Sequence, residues 1–126
     1  MRYENLIDRV KKLDFVDRRG LADALLKAVL GILASRLSAP AAKSMTRVLP
    51  EPLTYAKLRE AQDRRDRGSV EQCVQQVSRQ FNLSRGEAER AVTTVLKAAK
   101  RGMDADLRQT ILQDLPKDWR ELIGAA

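Results

Sequence analysis

At 126 residues, with 44% hydrophobic and 33% charged side chains, the chain has a globular composition that excludes a disordered one. Half of such a chain, about 60 residues, would bury only ~60% of its extended surface, so one shared core over residues 1–126 is expected. A net charge of +7 admits nucleic acid or another anionic partner without requiring one, while the absence of histidine removes the Ser–His and Cys–His pairs, the commonest general base and the usual zinc sites.

Taken in chain order, Tyr3, Leu6, Ile7, Val10 and Leu13 recur at helical spacing and predict a first helix over 3–14. Its opening, MRYENLIDRVKK, lacks the uninterrupted apolar centre of a signal peptide. Asp17 stands where an N-cap is needed for a long second helix over 18–37. That helix holds the most apolar stretch, Leu21 to Leu37, but Asp23, Lys27 and Arg36 interrupt it, so no membrane span is expected. Pro40 fits the first turn of a third helix over 40–48, and Pro50, after Leu49, ends that helix and opens a short fourth over 51–59. The charged stretch REAQDRRDRGS, Arg59 to Ser69, reads as a connection with Gly68 as a helix stop.

Beyond it, Ser69 with Gln72 and Ser84 with Glu87 have capping-box spacing, in which two side chains satisfy otherwise orphaned N–H groups. They open helices over 70–80, lined by Val70, Val74, Val77 and Phe81, and over 84–102, lined by Ala88, Ala91, Val92, Val95, Leu96, Ala99 and Met103. Leu107, Ile111, Leu112 and Leu115 line a seventh over 104–114. Pro116 opens an eighth over 117–123, where Trp119 has the spacing of a core-sealing side chain. No segment alternates as a half-buried strand should, and no Asn-Gly or Asp-Gly hairpin signal occurs.

The halves repeat one another. FVDRRGLADALLKAVL, Phe15 to Leu30, returns as FNLSRGEAERAVTTVL, Phe81 to Leu96. Identity extends to Ala39 with Ala105 and to Leu49-Pro50 with Leu115-Pro116; apolar character is kept at Leu37 with Met103, Met45 with Ile111 and Leu53 with Trp119. The first helices align one residue out of step, Ile7 with Val74 and Val10 with Val77, as a one-residue difference in the first loop requires. The expected fold is all-α: two pseudo-symmetric four-helix repeats, about 3–59 and 70–123, packed face to face into one helical bundle. Two copies are too few for a solenoid.

The VLKAA and DLPKDWRELI segments, with their weaker echoes AVLGIL and VLPEPLTYAKL, resemble the bacterial domain-of-unknown-function 2267 family over nearly the whole chain. The resemblance implies an all-helical bacterial protein with no established activity, and it supplies no catalytic residues to carry across.

Chemistry is sparse. Cys73, between Val70 and Val77 on an apolar stripe, reads as a buried small hydrophobe; a lone cysteine makes no internal disulfide and fits a reducing cytoplasm. The Arg-Gly pairs at 19–20 and 85–86 lack the further glycines of a phosphate loop and read as close-packed first turns. Asp104 with Asp106, and Glu87 with Glu89, sit at helix starts, where the dipole favours acids. Arg64, Arg65 and Arg67 alternate with Asp63 and Asp66, as a solvated connection would.

Two surfaces remain. The outer face of the sixth helix carries Arg90, Lys97, Lys100 and Arg101, a candidate nucleic-acid face without an aromatic residue for stacking. The second helix carries Leu21, Ala24, Ala28, Gly31 and Ser35 where the sixth has Glu87, Arg90, Thr94, Lys97 and Arg101. Small residues at this spacing let another helix approach closely, so this stripe is a candidate interaction face, covered by the chain itself or by a second subunit. The expectation is a protein-interaction or scaffold module that partners an unidentified protein or itself. Weak, non-specific nucleic-acid binding is the alternative. No catalytic, cofactor-binding or metal-ligating residue is assigned.

Overall fold

A computed structural model describes residues 2–60 and 68–125. Among them are eight α-helices: α1 (Tyr3–Lys11), α2 (Arg19–Arg36), α3 (Ala39–Val48), α4 (Tyr55–Glu60), α5 (Val70–Phe81), α6 (Arg85–Lys100), α7 (Ala105–Gln113) and α8 (Lys117–Ala125). No strand occurs among the described residues.

The helices begin where side chains can satisfy their first N–H groups. Both capping boxes form: Ser69 accepts from Gln72 N while the Gln72 side chain accepts from Ser69 N, and Ser84 with Glu87 does the same. Ser38 caps α3 and Asp104 caps α7. The Asp17 cap does not form. Arg18 holds the extended N-cap position of α2, with no side-chain bond, so Asp17 lies one residue too early. The first helix stops at Lys11 rather than 14, and successive turns follow, Leu13 N donating to Val10 O and Val16 N to Leu13 O. The fourth starts at Tyr55, not at 51. Pro50 and Pro52 both lack an N–H and disfavour helix before themselves, so the chain turns until Thr54, whose hydroxyl accepts from Lys57 N at 3.2 Å. Pro116 has no second proline behind it, and α8 follows at once.

Helix α2 is apolar around most of its circumference, and such a helix can only lie inside. Every residue from Val29 to Leu37 is buried. It packs against α1, α4, α5 and α6. Helix α6 is two-faced: Ala88, Ala91, Val92, Val95, Leu96 and Ala99 are buried, while Arg90, Lys97 and Arg101 are exposed. It packs against α1, α2, α5 and α8, and α3 packs against α7. One buried cluster runs through both halves, from Leu6 and Ile7 through Leu25, Leu30 and Met45 to Val95, Trp119 and Ile123. No described helix is long and apolar enough to cross a membrane.

Candidate functional site

The contact of α1 with α6 creates a surface that neither helix has alone. Arg9 near the end of α1, with Lys12 and Leu13 just after it, faces Thr94, Lys97 and Ala98 of α6 and its C-cap Arg101 across a groove of about 360 Å³. Spacing explains each wall. Lys97 and Arg101 are four residues apart and Arg9 and Lys12 three, so each pair shares one helix face. Leu13 and Ala98 form an apolar floor, and Thr94 adds a half-buried hydroxyl. Among the described residues no acidic side chain lines the groove, and none of its four cations has an ion pair. Chemically, the arrangement can hold an anion between two walls.

The four residues of the candidate nucleic-acid face part company. Lys97 and Arg101 stand in this groove. Arg90 lies beyond its end, with Nη1 3.2 Å from Asp14 Oδ1 and its guanidinium 5.4 Å from the Phe15 ring centroid. Lys100 points elsewhere: its Nζ donates to the carbonyl oxygens of Ile123 (2.9 Å) and Gly124 (3.3 Å), placing a cation at the carbonyl end of α8. Arg9 and Lys12, absent from the sequence-derived set, complete the groove. The signal that could have found them is their three-residue spacing on one face of the first helix, which has no meaning until α6 lies beside it.

On the interaction stripe of α2, Gly31 and Ser35 are buried, while Leu21, Ala24 and Ala28 are half-buried. Ser35 Oγ donates to Ile32 O and accepts from Arg36 Nη1. Arg64, Arg65 and Arg67 lie outside the described residues.

The remaining chemical candidates sit in structural roles. Cys73 is fully buried, and burial pushes its thiol up to about 11 against the opposing pull of Arg36, so it is not a thiolate at neutral pH. Asp104 caps α7 by accepting from Leu107 N at 2.8 Å, and Glu89 pairs with Arg85 at 3.1 Å. Among the described residues no three His, Cys, Asp or Glu side chains converge as a metal site would need. Arg19 and Arg85 reach back to Glu4 and Glu71, whose carboxyls these hydrogen bonds hold below the usual range. The Arg-Gly pairs therefore serve the arginine. A Cβ at Gly20 or Gly86 would meet nothing within 4 Å, which overturns close packing as the reason for glycine there.

The family model described as "Uncharacterized conserved protein (DUF2267)" matches residues 3–122. No curated protein and no solved structure matches the chain.

Proposed function

Since the chain belongs to the DUF2267 family, whose description names no activity, we propose its function from the groove itself: a non-catalytic helical module that binds nucleic acid by its phosphate backbone. The observation that carries this reading is the convergence of Arg9, Lys12, Lys97 and Arg101 from two helices with no acid among them. Cations placed this way release counterions from a phosphate chain, which makes binding sequence-independent and salt-sensitive. With at most four phosphates neutralised, log K should fall against log salt with a slope of about −3 to −4. Docking of another protein, or of a second copy, has weaker support. Val48 is the one exposed large hydrophobic side chain among the described residues, and the stripe on α2 ends in buried Gly31 and Ser35.

The same reading takes the fold as two pseudo-symmetric four-helix repeats in one bacterial, cytoplasmic domain. Its support is that most of the helix contacts come in matching pairs. The α1–α2 contact answers α5–α6, α1–α6 answers α5–α2, and α2–α4 answers α6–α8; α2–α6 and α3–α7 each join an element to its own copy. Glu4–Arg19 likewise answers Glu71–Arg85. Under this correspondence Arg9, Lys12 and Leu13 become Gln76, Arg79 and Gln80, which line a second groove walled largely by glutamine amides. One copy is strongly cationic and the other is not, so one phosphate site per chain is expected.

Fluorescence anisotropy with a labelled oligonucleotide at ~50 and ~200 mM salt tests the reading. Wild type should bind at the lower salt and weaken steeply at the higher. Reversing Arg9, Lys12, Lys97 and Arg101 to Glu should abolish binding, whereas reversing Lys43 and Arg47, exposed on α3, should not. No binding at the lower salt, or equal loss from both sets, would refute it.

A further inference from the structure

The groove does not end at its cations. Leu13 and Thr94 also line an adjoining recess whose other walls are Glu89, Arg90 and Thr93. There the Arg90 guanidinium lies over the Phe15 ring and is tethered by Asp14, while its side chain stays 54% exposed. Two contacts thus hold a cation that remains about half exposed to solvent. We infer that the groove takes a single strand of nucleic acid, its phosphates at the Arg9–Lys12–Lys97–Arg101 end and one base stacked on the Arg90 guanidinium above Phe15.

Charge sets the direction. Asp14 pairs with Arg90, and Glu89 beside it pairs with Arg85, so this end carries little net charge and a phosphate is favoured at the other. A flat guanidinium backed by an aromatic ring offers a stacking surface to any base, because every base has a π-face. Arg90 and Lys97 are seven residues apart on α6, roughly 10 Å along the axis, a separation that one or two nucleotides bridge between phosphate and base. Sequence position hid this pairing, since the sixth helix has no aromatic of its own and borrows Phe15 from the loop after α1. A duplex presents its phosphates but keeps its bases stacked on one another, and reaching Arg90 would require a base to leave the stack.

This inference rests on the phosphate-binding reading, and the test separates the two. Binding is measured for an oligothymidylate strand, an abasic strand of equal length and a matched duplex at ~50 mM salt. The oligothymidylate should bind most tightly. Arg90→Lys keeps the charge and loses the plane; it should weaken oligothymidylate binding roughly 5-fold or more and leave the abasic strand unchanged. Phe15→Leu, which keeps an apolar side chain in the loop, should act in the same direction. Reversing Lys97 and Arg101 to Glu should weaken all three ligands. Equal effects of Arg90→Lys on the abasic and base-bearing strands, or a duplex bound as tightly as the single strand, would overturn the stacked base and leave the phosphate groove standing. Binding that ignores Lys97 and Arg101 would overturn both.

Discussion

Trp119 and Arg36 share one acceptor. The indole Nε1 donates to the Gly68 carbonyl oxygen at 3.1 Å and the guanidinium Nε at 3.0 Å, while the guanidinium lies 5.6 Å from the indole centroid. Three distant parts of the chain meet here: the last turn of α2, the residue before the α5 cap, and the first turn of α8. Trp119 is fully buried. Trp119→Ala should therefore cost about 3–5 kcal/mol in urea denaturation. Trp119→Phe, which loses the indole N–H and part of the volume, should cost less, about 1–3 kcal/mol. A cost near zero for Trp119→Ala would remove this junction from the stability of the fold.

Three glycines give a sign test. A Cβ at Gly68 would come within 2.6 Å of both Arg36 Nη2 and Gln72 Oε1, and buried Arg36 has little room to give. Gly68→Ala should destabilise by about 1–3 kcal/mol. At Gly20 and Gly86 the same substitution meets open space on an ordinary helical backbone, so each alanine should stabilise by about 0.5–1 kcal/mol through the unfolded chain. Thermal midpoints should move in opposite directions for the two kinds of site.

Two aspartates cap helices other than their own. Asp118, at the start of α8, accepts from Val70 N at 2.8 Å, and Asp114, after α7, accepts from Ser38 N at the start of α3. Replacing either with Ala should cost about 1 kcal/mol, and Asn, which keeps an acceptor oxygen, should recover most of it. Denaturant midpoints for the four single variants check this; an Asn variant no better than Ala would mean that the acceptor is not what matters.

The Tyr3 hydroxyl donates to Asp23 Oδ1. Burial first, then this hydrogen bond and the Asp23 charge, raise the phenol pKa above its ordinary value of about 10. A raised folded-state pKa means that the unfolded chain loses its proton first. The stabilisation is thus complete below about pH 10 and is lost as pH rises through the higher folded value. Tyr3→Phe should flatten this alkaline loss and lower neutral-pH stability by about 1–2 kcal/mol. Identical alkaline unfolding curves for the two proteins would count against the coupling.

The helices were legible because their signals are local. A 3.6-residue period, Ser-x-x-Gln and Ser-x-x-Glu caps, and prolines after leucine act within one or two turns, and α5, α6, α7 and α8 fall within two residues of their predicted bounds. Errors arose where a local rule had a close competitor. Asp17 is a good cap residue one position from the cap, Pro52 delayed a helix that Pro50 appeared to open, and glycine at 20 and 86 suggested crowding where there is space.

What the residues by themselves determined is therefore which stretches coil and which faces are apolar, because both depend on neighbours a few positions away. Only the tertiary structure decided the groove. Arg9 and Lys12 are far from Lys97 and Arg101 along the chain, and no periodicity links them; they meet because the apolar faces of α1 and α6 are buried against each other. The same packing turned Lys100 toward the end of α8, drew Arg90 onto Phe15 and closed Gly31 and Ser35 inside. Burial of apolar surface is non-directional and sets which helices touch; the polar side chains then take the partners that contact leaves within reach.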